Sequence, residues 1–334
     1  TWYKDKSSGQ IIAVTVSSAT GYGSLWINAG EIENKGIELA LTGTPLQMGD
    51  FRWDATVNFT RNRNMVVDIA EGVDDILLAT QSGYLQATVA MRITNGQPYG
   101  DLYGTAFQRY YSDGEPDGLT HLDRSRPMLI GANGFPTLTP ASKQMVLGNV
   151  MPDWLAGIRN TFSYKNVSLS FLVDVRWGND QYDQYGNYLA AFLKSDFTND
   201  RNDVVIFDGV LADGTPNTQQ VWLGQGLGPD GRDYGAGYYR NYHRAMSEYF
   251  VSDASFVKLR NVTLNYNLPK SWLTPLSLKA VSVSGSLNNI ILWTPWRNFD
   301  PESYSTGSGS NATGLSGMGY PGTRSALFSI NITL

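Results

Sequence analysis

An alternation of apolar and polar residues recurs along this chain, and it constrains the fold more than any other feature. In FRWDATVNFTRNRN, Phe51, Trp53, Ala55, Val57 and Phe59 share one face, and Arg52, Asp54, Thr56, Asn58 and Thr60 share the other. WLAGIRNTFSY sets Trp154, Ala156, Ile158, Phe162 and Tyr164 against Arg159, Thr161 and Ser163. After Lys165-Asn166, VSLSFLVDVRW repeats the pattern, with Val167, Leu169, Phe171, Val173, Val175 and Trp177 opposite Ser168, Ser170, Asp174 and Arg176. VTLNYNL, VSVSGSLNN and the final FSINITL do the same. A period of two is that of a β-strand with unlike faces, and a pair such as 154–164 and 167–177 reads as a tight hairpin. With less regular candidates around 1–6, 84–94, 99–111 and 137–147, the spacing predicts roughly ten strands in an all-β chain.

The polar faces are unusual for a sheet that meets bulk water. They carry mostly Ser, Thr and Asn, and charged residues make up only 16% of the chain, against about 25% in an ordinary soluble domain. Aromatic residues sit near the strand ends: Trp154, Tyr164, Trp177, Tyr266 and Phe328. Together these features fit a transmembrane antiparallel β-barrel with a lipid-facing apolar band, aromatic girdles and a wet interior. A soluble sandwich or propeller explains the alternation equally well, but the girdles and scarce charges less well. The apolar faces separate the two readings. Trp154, Phe171, Val262 and Ile330 should meet a second protein layer in a soluble fold and none in a barrel. No apolar run reaches the ~18 residues of a membrane helix, which leaves a barrel open. Connections alternate between short (44–50, 165–166, 269–277) and long (7–24, 112–136, 179–254, 294–324), as expected of brief periplasmic turns and extended outer loops. Segments 184–194 and 240–250 suit short helices, and the low-complexity stretch 304–319 reads as a loop.

The chain has no Cys and two His, His121 and His243. Disulfides, thiolate metal sites and Cys nucleophiles are therefore excluded, and a multi-His zinc site has too few ligands. A formal charge of −5 gives no field for nucleic acid. The acidic runs SDGEPDG (112–118) and GPDGRDYG (228–235) read as turn chemistry rather than metal or catalytic clusters. No cofactor, metal or enzymatic activity is expected. A lone loop histidine such as His243 is expected at the surface or as a hydrogen-bond donor.

Several longer motifs resemble the SusC/RagA branch of TonB-dependent outer-membrane transporters of the Bacteroidetes. These are NAGEIENKGIEL (28–39), LGNVMPDWLAGIRNTFSYKNVSLSFLVDVRWG (147–178), YFVSDASFVKLRNVTLNYNLPK (249–270), and DPESYS with GYPGTRSALFSINITL (300–305, 319–334). The resemblance keeps family order along the chain. It implies that residues 1–334 are the C-terminal portion of a barrel of about 22 strands, without a separate second domain and without the plug and TonB-box segment. It also implies multi-pass insertion in the Gram-negative outer membrane and TonB-dependent import of large nutrients, oligosaccharides first and oligopeptides as the alternative. A soluble carbohydrate-binding or structural β-protein is the rival from another class. The implied partners are a SusD-like surface lipoprotein, TonB acting through the part not in this chain, the remaining barrel and plug, and outer-membrane lipid. The last strand, 325–334, is expected to pair with the barrel's first strand.

Aromatic rings flanked by Asn, Asp and Arg suit sugar faces and hydroxyls, and also peptides. On position, Asp174, Arg176, Asp180, Tyr182, Tyr239 and Arg240 are the candidate substrate contacts. In GEIENKGIELAL (30–41), Ile37, Leu39 and Leu41 are expected toward lipid and Glu38 toward water. Because Ile32 breaks this phase, the sequence predicts a register-resetting bulge at Asn34-Lys35-Gly36, with a hairpin turn as the alternative.

Overall fold

The computed structural model describes residues 1–9, 11–15, 19, 21–22, 24–28, 30–70, 72–84, 88–114, 121–297, 300–303, 313–317 and 319–334. Its main feature is an eight-stranded antiparallel meander in which each strand pairs with the next in chain order. The strands are β1 (Trp2–Ser7), β2 (Glu31–Met48), β3 (Phe51–Asp68), β4 (Trp154–Tyr164), β5 (Val167–Trp177), β6 (Phe256–Asn267), β7 (Ala280–Trp293) and β8 (Ser325–Thr333). The short connections all lie at one end of the sheet. Gly49–Asp50 joins β2 to β3, with Gly49 at φ 58°, and Lys165–Asn166 joins β4 to β5, with Lys165 at φ 49°. Helical turns at Lys270–Leu273 and Thr274–Leu276 join β6 to β7. The link expected at 44–50 is therefore a two-residue turn. The strand continues through Pro45 because the pairing with β3 slips between Gly43 and Leu46, where a residue without an N–H can be tolerated.

Eight strands replace the expected ten. The 1–6 candidate joins the wall as β1, whereas the candidates at 84–94, 99–111 and 137–147 feed a separate four-stranded sheet of Asp75–Ser82, Thr88–Thr94, Asp101–Gly104 and Met145–Asn149. The bulge expected at 34–36 is also overturned. Pairing between β2 and β3 runs unbroken from Ile32↔Val66 through Gly36↔Asn62 to Gly43↔Ala55. Ile32 lies on the polar side of β2 opposite Val66 of β3, which is buried in an apolar cluster with Ile69, Ile76 and Ile93. Gly36 has a different role from the one expected. It is buried under the Tyr3 ring of β1, which a Cβ would strike, so it permits close approach rather than an unusual backbone angle.

The apolar face is uncovered. Leu264 is 53% exposed and Ile330 57%. Trp154, Phe171 and Val262 are partly exposed, and none of the four marker residues belongs to a buried cluster. Among the described residues there is no second layer over this face. Two aromatic rows bound it. At the long-connection end Phe59, Trp154, Trp177 and Trp293 stack ring on ring at 6.0, 6.0 and 5.9 Å, spanning five strands from β3 to β7. Toward the short-turn end Phe51, Trp53, Phe162 and Phe171 form a second group. From Trp154 to Tyr164 the strand climbs about 34 Å, which at a tilt near 40° projects to about 26 Å, the height of a barrel's lipid band. Asn160, the polar exception on this face, accepts a 2.9 Å hydrogen bond from the Trp53 indole.

Beyond the long-connection end the chain builds an ordinary packed body. Val89, Met91, Leu102, Leu147, Tyr182, Phe250 and Leu315 form its main core. Helix Gln184–Ala191, within the segment expected to be helical, is capped by Asp183, whose carboxylate accepts the Gly186 N–H at 2.8 Å. The 240–250 region forms short helical turns at Tyr238–Asn241, His243–Ala245 and Ser247–Tyr249. Most of the expected 304–319 loop lies outside the described residues, as does part of the 112–118 acidic run.

Candidate ligand-binding face of the wall

The polar face of the sheet is laid out by the same register. Ser168 and Ser170 of β5 face Asn265 and Thr263 of β6. Thr263 and Ser286 share a 2.8 Å hydrogen bond, Asn261 donates to Asn288 at 2.8 Å, and Asn288 donates to Ser325 at 3.0 Å. This neutral ladder ends in a charged cluster toward the long-connection end. There β6 slips register at Arg260 against β7, and its pairing with β5 slips at the same height. A bulge leaves one residue unpaired and re-aims it, so Arg260 joins Lys258 on the polar side. Asn289 of β7, at φ 53°, takes up the matching irregularity in a conformation that Asn tolerates well.

Lys258 is 3% exposed, and its ammonium lies 2.9 Å from Asp300 and 2.5 Å from Glu302. Arg260 donates to Asp174 at 2.7 and 2.8 Å and to Glu302. A buried ammonium requires such partners. Burial alone would raise the Glu302 carboxyl, but its bonds to Arg260 and Lys258 hold it below the usual carboxylate range. The cluster thus fastens the 294–303 connection to the wall.

Asp174 and Arg176 share a cavity of about 310 Å³ beside this cluster, with Asn58, Thr60, Phe256 and Arg260 around it. The structure does not bring the other four candidates to it. Asp180 accepts the Asn149 N–H at 3.1 Å, and burial pushes its carboxyl up. Tyr182 has no exposed surface and is a core residue. Tyr239 donates to the Phe197 carbonyl at 2.8 Å and to Asp200, beside a different cavity of about 250 Å³. Arg240 lies on the short helix Tyr238–Asn241, half-buried. Nor is His243 a surface group. Its ring stacks on Tyr249 at 4.3 Å and sits among Phe197, Tyr239 and Phe250. Burial, with Arg297 adding to it, lowers its pKa to about 3.

Lys258, Arg260, Asp300 and Glu302 were not among the expected contacts, although they lie in motifs quoted above, FVKLRN and DPES. Charged residues inside an otherwise apolar-and-amide strand were the available signal. The Gly148-Asn149 motif also acquires a physical reason. Asn149 donates to the Tyr99 carbonyl at 3.1 Å and to Asp101 at 2.7 Å, and it accepts the Met151 N–H at 2.7 Å. A Cβ on Gly148 would lie 2.5 Å from Asp180. Gly148, Asn149, Asp101 and Met151 line a cavity of about 410 Å³ with Asn62, Asn64 and His121. GPDGRDYG is turn chemistry as expected: Asp230 accepts the Arg232 N–H at 3.1 Å, and Asp233 accepts that of Gly235 at 2.8 Å.

An antiparallel meander with an uncovered apolar face, aromatic rows and a polar reverse has the pattern of an outer-membrane type of β-barrel wall. Comparison with known proteins gives the same class. No family model matches. The chain is 27% identical over 343 residues to TonB-dependent receptor P26 of Formosa agariphila, covering 99% of this chain and 32% of that protein. It is 24% identical over 311 residues to TonB-dependent receptor SusC of Bacteroides thetaiotaomicron, covering 90% and 27%. Among solved structures, the RagAB peptide importer in its closed-closed state superposes with a TM-score of 0.64 at 18% identity, over 99% of this chain and 33% of that one. The chain is homologous to TonB-dependent receptors of SusC type along nearly its whole length, and it spans about a third of the curated relatives it matches.

Proposed function

We propose that this chain supplies wall and outer loops to a TonB-dependent transporter that imports oligosaccharides across the outer membrane. The observation that carries the reading is the two-faced sheet. Among the described residues its apolar side has no protein cover, which suits lipid, while its reverse is a ladder of hydroxyls and amides suited to neutral, hydroxyl-rich solutes. A SusD-like lipoprotein would close over the loop end, and TonB would act through a plug enclosed by the complete barrel. In that barrel β8, an edge strand here, would pair with the first barrel strand. The protein binds and releases its cargo without covalent chemistry.

Oligopeptide import is the second reading. The charged cavity formed by Asp174, Arg176 and Arg260 favours it, since peptides carry complementary charges. Growth of a deletion strain on defined polymers separates the two. Loss of growth on at least one glycan, with peptide use intact, is expected. Unchanged growth on every glycan would overturn the oligosaccharide assignment.

A further inference from the structure

The lipid-facing side carries an unexpected concentration of positive charge immediately beyond the aromatic row. The register sets Lys4 of β1 opposite Lys35 of β2, and Lys35 opposite Arg63 of β3. All three share the face of Trp2 and Ile37, which are 71% and 48% exposed. Like charges placed directly opposite one another destabilise a sheet. Arg61 lies on the same face opposite Ile37, one outward-facing position beyond Phe59. Lys6 follows on β1. Carboxylates on this face answer only part of the charge. Glu33 is shared by Lys4 and Lys35, Glu31 takes Lys6, and Asp153 takes Arg63. Counting Asp68, which lies opposite Glu31, five cations meet four carboxylates and leave an excess of one, and Arg61 makes no ion pair among the described residues. Asp5 and Glu38 lie on the polar face and cannot contribute.

Height gives this patch its meaning. The short turns mark the opposite, periplasmic end, so the patch belongs to the outer leaflet. Arg61 stands about 5 Å and Arg63 about 10 Å above Phe59 along the membrane normal, the depth of lipid headgroups. We propose that Lys4, Lys35, Arg61 and Arg63 bind the phosphate of an outer-leaflet lipid headgroup, whose acyl chains lie against Ile37, Leu39 and Phe59. The bound phosphate supplies the missing counter-charge and relieves the opposed cations. This inference rests on the outer-membrane placement proposed above but not on any choice of cargo.

The test uses the full-length transporter in detergent, with native mass spectrometry counting retained lipid. The probes are lipid A carrying its phosphates and the same lipid A dephosphorylated. Wild type is expected to prefer the phosphorylated form by about ten-fold or more. Lys35→Gln/Arg61→Gln/Arg63→Gln should lose that preference, and Arg61→Lys should keep it. Arg61→Gln, which removes no ion pair, guards against misfolding and should weaken retention by about three-fold on its own. No preference in wild type, or an undiminished preference in the triple variant, would overturn the proposal. Inorganic phosphate should not displace the lipid, and full displacement would mark a free-anion site and overturn the headgroup assignment. A failed growth test would sink the transport reading and leave these outcomes unchanged.

Discussion

Leu264 of the wall and Leu102 of the loop body show two uses of one residue type in one chain. Leu264 points away from the protein and is 53% exposed; Leu102 is fully buried among Met91, Leu147 and Tyr182. The body folds by burying apolar surface against itself, so its cohesion is internal. The wall keeps its backbone hydrogen bonds between strands and, in the membrane placement proposed above, leaves its apolar side chains to the bilayer.

The largest expected effect is at the seam between the two regions. Asp300→Ala with Glu302→Ala leaves Lys258 buried without partners and should cost about 3–5 kcal/mol in chemical unfolding. Adding Lys258→Met should recover part of that loss; no recovery would show that the cluster does not fasten the 294–303 connection. Next, Leu41→Arg, midway between the two aromatic rows, should cost about 2–4 kcal/mol in lipid vesicles, while Thr42→Arg on the polar face should cost under about 1. Equal costs would erase the distinction between the faces. Gly36→Ala should cost about 1–3 kcal/mol by driving a methyl into Tyr3 and the Arg61 carbonyl. A neutral result would disprove the close packing of β1 on β2.

The effect that is smallest near neutral pH is confined to the body and grows only on acidification. The pKa of His243 is lowered to about 3 in the folded chain, against about 6.5 unfolded. The unfolded chain therefore binds the extra proton between these values. Stability from the neutral ring is complete above about pH 6.5 and falls as pH drops toward 3, by up to about 1.4 kcal/mol per pH unit. His243→Phe should flatten the acid limb of body unfolding without altering the wall. A limb unchanged in that variant would refute the assignment.

The wall was legible because its signal is local. Apart from the slip at Arg260, strands β3 to β8 alternate regularly enough to show their faces, and the outward aromatics Trp154 and Trp177 follow from the same count. What failed was information carried by partners distant in sequence. Gly36 looked like a bulge glycine because Tyr3, which occupies the space above it, lies 33 residues earlier. Tyr182 looked like a contact because its neighbours are Asn and Asp, while its core partners Leu315 and Phe250 lie far along the chain. Two of the six candidate contacts lie together. Asp174 and Arg176 face a cavity, but the cluster that shapes it joins β6 to a connection about forty residues later. Only the fold brings those charges together.

The central claim is that one face of the sheet lies in lipid and the other in water. The chain lacks cysteine, so single cysteines at Val262, Thr263, Leu264, Asn265 and Tyr266 can carry nitroxide labels in the full-length protein in vesicles. Membrane-dissolved oxygen and a water-soluble nickel chelate then compete as relaxing agents. Labels at 262, 264 and 266 should favour oxygen and those at 263 and 265 the chelate, alternating residue by residue. Equal chelate access at all five positions, or shielding of 262, 264 and 266 from both agents, would contradict a membrane wall.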